Sequence, residues 1–213
     1  MASSKDFSWY RLAMWASLAI TVYMVMIGEK YLLRMVEVET KMNQVFYSEE
    51  VAKKAEERGS HWFELAFVRT EIMKYSFDLF IPTEQQMRDA SDMERASAPV
   101  FNWFEGRLRA LWTLIWATFT RASSVLLWLP YSVLILTPWL VDGLVQRERS
   151  KHTFQFSSPV RHRYAMMGLV LMPVVFFVLL MAPIAMHPLV TPIILFGAGM
   201  MLQVAAANFM KRA

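Results

Sequence analysis

Residues 122–141 carry no charge over twenty consecutive positions. A helix of that length rises about 30 Å, which matches the hydrocarbon core of a bilayer. Runs of nearly the same character recur at 9–27, 164–186 and 188–207. Apolar residues make up 56% of the 213, above the roughly 45–50% of ordinary soluble domains. The expectation is an all-α integral membrane protein with four transmembrane helices and a small helical extramembrane lobe.

The first transmembrane helix is expected within 1–28, with Arg11 near its first turn reaching back to the interface. A cleaved signal peptide would share the positive start. No A-x-A site with a polar follow-on succeeds the apolar run, so the helix is expected to stay. Residues 29–100 form the lobe, and 29–107 hold 15 acids and 11 bases. Charged clusters (Glu49, Glu50, Lys53, Lys54, Glu56, Glu57, Arg58) alternate with Val45, Phe46, Val51 and Ala55, and Gly59-Ser60 divides the stretch. Beyond it, Phe63 and Phe67 begin an apolar stripe at helical spacing. Thr83 with Gln86 reads as a capping box after Pro82.

In 101–121, Phe104, Leu108, Leu111, Ile115 and Phe119 recur every three or four residues, with Trp103, Trp112 and Trp116 nearby. That pattern suits an amphipathic helix at the headgroup boundary, with Arg121 at the interface and the second span at 122–141. An intramembrane Arg121 paired with a carboxylate on a transport path is the sharper alternative. A basic cytoplasmic hairpin occupies 142–163. The third span, 164–186, and the fourth, 188–207, are separated only by His187-Pro188. Small residues at Gly197 and Gly199 permit close helix packing, and Gln203 among them suits an interhelical hydrogen bond.

Lys5, Arg11, Arg147, Arg149, Lys151, Arg161, Arg163, Lys211 and Arg212 fall on one side of a four-span topology. The positive-inside rule makes that side cytoplasmic. Both termini are then cytoplasmic, in a multi-pass protein of the bacterial inner membrane with a periplasmic lobe.

Catalytic patterns are missing from the sequence. There is no GxxxxGK[ST] or GxGxxG cradle. His61, His152, His162 and His187 have no metal-ligand spacing, and without cysteine there is no thiolate site. Ser157-Ser158 lacks an elbow motif and a placed base. The chain is expected to be no enzyme and to need no cofactor and no metal.

The hairpin carries five Lys/Arg against two acids. It can be topogenic, holding to anionic membrane lipid; it can dock a protein through Phe154 and Phe156; or, as the least favoured reading, it can touch DNA. The pattern LP-x7-P-x3-DG-x3-R, here Leu129-Pro130, Pro138, Asp142-Gly143 and Arg147, is followed by Phe154-x-Phe156-x-Ser158-Pro159 and His162. With these motifs, densest over 103–165, the chain resembles the integrating conjugative element membrane protein family. The resemblance implies a non-catalytic part in conjugative DNA transfer by a type IV secretion system, beside the membrane-bound coupling ATPase and possible further copies of itself. It offers no catalytic residues. The candidate docking residues are Asp142, Gly143, Arg147, Arg149, Lys151, Phe154, Phe156, Ser158, Pro159 and His162; Gly197, Gly199 and Gln203 are candidates for helix packing. The rival class is a small transporter or channel subunit, with Arg121 and Gln203 on its path.

Overall fold

The structure, a computed structural model, describes residues 14, 26–82, 98–152 and 158–209. Among them the regular elements are all helical: α1 (Glu29–Tyr47), α2 (Glu49–Phe63), a π-helical turn (Glu64–Val68), α3 (Ile72–Phe80), α4 (Ala98–Val125), a 3-10 turn (Leu126–Trp128), α5 (Leu129–His152), α6 (Pro159–Met181) and α7 (Val190–Ala207). The chain divides into two compact units, 1–35 with 64–115 and 36–63 with 116–213.

In the first unit α3 is pinned to α4 by aromatic contacts. Trp112 Nε1 donates to Ser76 Oγ at 3.0 Å, and the Phe67 ring meets Trp112 with centroids 5.2 Å apart. Leu108, Ala110, Trp112 and Leu114 are buried. Glu71, at φ 58°, turns the chain from the π-helical segment into α3. A non-glycine residue in this region is held there by its surroundings, at a cost of roughly 1–3 kcal/mol.

In the second unit α1 and α2 form a helical hairpin reversed at Ser48, φ 76°. Its return arm buries Ala52, Ala55, Gly59 and Phe63, a stripe of mostly small residues at helical spacing. A Cβ on Gly59 would lie 2.5 Å from Thr120 Cα, so α2 and α4 touch backbone to backbone. Arg58 secures the contact through Ser123, its Nε 2.8 Å from Oγ and its Nη2 3.0 Å from the carbonyl. Trp116 Nε1 donates to Ser60 Oγ at 3.0 Å.

The same unit holds α5, α6 and α7, with α7 packed along both others. A Cβ at Gly143 would come within 2.6 Å of the Gln203 carbonyl, and one at Gly199 would enter the Trp139 ring. A Cβ on Gly197 would meet Met172 Cε at 3.0 Å. Small residues thus let these helices approach closely.

Four expectations are corrected. Three helical runs among the described residues are long and apolar enough to cross a membrane, not four: 99–150, Pro159–Met181 and Val190–Ala207. The first expected helix, 1–28, and the capping box at Thr83 lie outside the described residues. The link between α6 and α7 is longer than His187-Pro188: α6 stops at Met181 and α7 starts at Val190. Pro183 accounts for this, because proline pushes the preceding residue out of the α region, and Ala182 has ψ 139°. The 142–163 hairpin is largely helical, since α5 continues to His152 and Ser158-Pro159 already starts α6. Finally, Arg121 is no exposed interface anchor; only 2% of its surface is accessible.

Candidate functional site

The buried guanidinium of Arg121 organises the end of the helical bundle where α6 gives way to α7. Its Nε lies 2.9 and 3.1 Å from the two Glu39 carboxylate oxygens, and Nη2 is 2.7 Å from Oε2. The remaining donors go to backbone. Nη1 donates to the carbonyls of Leu180 at 2.8 Å and Ala182 at 2.7 Å, and Nη2 to Ile184 at 2.8 Å. Glu39 Oε2 also accepts from Met186 N at 3.3 Å. One ion pair thereby joins α1, α4 and the irregular Ala182–Leu189 link, and satisfies carbonyls that the end of α6 leaves without helical partners.

This arrangement suits arginine and no other residue. A planar fork with five donors can serve a carboxylate and several carbonyls at once, whereas a lysine ammonium has three donors at one point. Beside the pair lies a small polar cavity of about 30 Å³, lined in part by Glu39, Thr40, Asn43, Glu56, Thr120 and Ser124. It has room for a water or two and for nothing larger. The geometry holds backbone in place.

Around the same end aromatic rings cluster. Trp128 Nε1 donates to the Tyr47 hydroxyl at 2.6 Å. Phe46 packs on Tyr47 at 5.0 Å and near His187 at 6.2 Å, and Trp128 lies 6.0 Å from Tyr131. Burial pushes the Tyr47 phenol above its ordinary range, and the bond from Trp128 offsets part of that.

The candidate residues of the hairpin lie at the opposite end of α6. Asp142 Oδ2 accepts from Gln146 at 2.8 Å and from Gln203 Nε2 at short range, joining α5 to α7. His162 Nδ1 sits 2.9 Å from the Ala205 carbonyl. Ser158 caps α6, its Oγ accepting from Arg161 N at 3.4 Å, while its own N–H donates to Asn208 at 3.0 Å. Pro159 occupies the first turn, where no N–H is needed. Arg147 stacks over the Phe209 ring at 5.2 Å, and Arg149 is exposed. So Asp142, Gly143, Gln203, His162, Ser158 and Arg147 gather at one end of the bundle. Phe154 and Phe156 lie outside the described residues, as does the Lys151 side chain. Gly197 and Gly199 sit nearer the middle of α7.

Sequence reasoning missed Glu39, one acid among many in the lobe. A signal existed: Leu32, Met35 and Glu39 share one helical face, and all three are buried. A carboxylate interrupting an apolar stripe asks for a cation, and Arg121 directly borders a long apolar run.

The fold and these contacts define an all-helical protein that has, among the described residues, three helices long and apolar enough to cross a membrane, held together by interhelical polar bonds. Over residues 12–210 the sequence matches the family described as IncC plasmid conjugative DNA transfer protein DtrJ-like, and the chain belongs to that family. Conjugative DNA transfer is also the setting implied by the family resemblance noted over Leu129-Pro130 to His162; the matched description speaks of a plasmid transfer protein, not of an integrating element. No curated protein and no solved structure matches the chain.

Proposed function

We propose that the protein is a non-catalytic, multi-pass inner-membrane component of conjugative DNA transfer that scaffolds the membrane-bound coupling ATPase of a type IV secretion system. In this reading the hairpin end and both termini face the cytoplasm and the Arg121 end faces the periplasm. Family membership supports the conjugative setting. The observation that favours a scaffold over a transporter is the fate of the two side chains best suited to a path. Arg121 donates to Glu39 and to the Leu180, Ala182 and Ile184 carbonyls, and Gln203 is bonded to Asp142. Both act as fixed links between helices, and a substrate would have to break them to pass.

Docking is assigned to the cytoplasmic hairpin, where Arg147, Arg149, Arg161 and Arg163 attract and Phe154 and Phe156 supply apolar anchors. Buried aromatics commonly dominate binding energy, and rim charges mainly change association rate. The test is co-purification of the coupling ATPase with the tagged protein from donor cells. Phe154→Ala/Phe156→Ala is expected to insert normally and to lose both the ATPase and DNA transfer. Normal transfer from that double variant would leave the hairpin a purely topogenic element.

A further inference from the structure

We propose that the turn between α1 and α2, with Val45, Phe46 and Tyr47 at its tip, rests in the headgroup layer of the periplasmic leaflet. The turn and the ring of Trp128, Tyr131 and His187 would then mark the outer boundary of the bilayer. The inference rests on the membrane reading above and goes further, since it assigns a lipid-contacting surface to a polar segment with no span of its own.

Three observations converge on it. Val45 is 89% exposed and Phe46 39% on one side of the turn at Ser48, and the charged Glu49 and Glu50 open α2 on the other. A tip that sets exposed apolar and aromatic groups beside charge is amphipathic, and the interface accepts that combination. The tip is also tied to the bundle, by the Trp128–Tyr47 hydrogen bond and the Phe46–His187 contact. His187 belongs to the link that precedes α7, and Trp128 immediately precedes α5. The level of the tip is therefore the level at which α5 and α7 begin.

The third observation is a length. From Trp128 to Arg147 a helix rises about 28 Å, and the 18 residues of α7 rise about 27 Å, each close to a hydrocarbon core. The far end carries Arg147, Arg149, Arg161 and Arg163, suited to an anionic leaflet. Aromatic rings bound the slab on one side and arginines on the other. The span on α5 then begins near Leu129, about two turns beyond residue 122, and the Arg121–Glu39 pair lies outside the hydrocarbon.

The chain has no cysteine, so single sites can be labelled in the full protein reconstituted in phosphatidylethanolamine–phosphatidylglycerol vesicles. Nitroxide labels at Val45→Cys, Glu57→Cys and Val170→Cys are compared for collision with oxygen, which concentrates in lipid, and with a water-soluble nickel chelate. Val170, on the exposed face of α6, is expected deep, Glu57 aqueous, and Val45 at headgroup depth. A Val45 label as aqueous as that at Glu57, with Val170 still deep, overturns this inference and leaves the membrane reading intact. A Val45 label shielded from both reagents also overturns it, because a second copy of the chain would then cover the tip. An aqueous Val170 label removes the membrane reading itself.

Discussion

Replacing Arg121 with leucine is the most informative single perturbation, because an apolar side chain is what a simple interface position would tolerate. The structure gives the opposite expectation. Arg121→Leu strands the Glu39 carboxylate, which is 8% exposed, takes a donor from the Ala182 and Ile184 carbonyls, and leaves Leu180 with the longer bond from Thr118 at 3.4 Å. Breaking a buried pair by removing one partner costs about 3–5 kcal/mol, and each orphaned buried acceptor adds up to about 1–3 kcal/mol where water cannot reach it. For a chain of this size each kcal/mol moves the melting temperature by about 2–4 °C, so the broken pair alone lowers it by about 6–20 °C and the lost carbonyl bonds add to that. Glu39→Leu should cost nearly as much, since the guanidinium keeps its carbonyls but loses its counter-charge. Glu39→Leu/Arg121→Leu should be less damaging than the sum of the single changes by at least about 2 kcal/mol, the signature of direct coupling. Arg121→Lys should fall between wild type and Arg121→Leu. The assay is thermal unfolding in detergent followed by tryptophan fluorescence, with DNA transfer frequency scored in parallel. An Arg121→Leu protein that melts within about 2–4 °C of wild type, a change of only about 1 kcal/mol, would refute the reasoning.

Gly59→Ala should lower stability by about 1–3 kcal/mol, because its methyl would meet Thr120 Cα at 2.5 Å and push α2 from α4. Gly106→Ala, which meets nothing within 4 Å inside a helix, should be neutral or stabilising by up to about 1 kcal/mol; the two melting curves decide. Gly143→Leu should separate α5 from α7 and weaken the Asp142–Gln203 bond, read as loss of a disulfide engineered between those helices. Tyr47 supplies a pH dependence. Its phenol is raised in the folded state, so the stability linked to its neutral form is full below the ordinary value near 10.0 and is lost as pH rises through the folded value. The stability difference between wild type and Tyr47→Phe should be flat from about pH 7 to 9 and shift against wild type only at more alkaline pH; a change already present at neutral pH would contradict this.

Helical class and membrane-length apolar runs were legible because both depend on local properties of the chain, charge-free length and 3.6-residue spacing. The Asp142–Gln203 bond was half visible: Gln203 stood out in an apolar helix, but nothing local named its partner. Arg121 was harder. A span can be slid along 110–141 until its only arginine reaches an interface, and no local signal forbids the slide. What decides its place is Glu39, far away in sequence, together with the backbone left open by Pro183. The lobe was least legible. Charged clusters suggested solvated helices, yet the stripe of Ala52, Ala55 and Gly59 gives α2 a face that packs on α4. Small residues bury little area, so hydrophobic periodicity underweights the positions that set the closest contact.

The claim at the centre of this account is that the cytoplasmic hairpin presents the protein to the coupling ATPase. A photo-crosslinking amino acid placed at Arg149 or Arg161, in donor cells during active transfer, tests it most directly. Val170, on the exposed face of α6, is the control position. The account predicts an adduct containing the coupling ATPase from the hairpin positions and none from Val170. DNA transfer at the normal frequency from the same cells, with no ATPase adduct at either hairpin position, would contradict it.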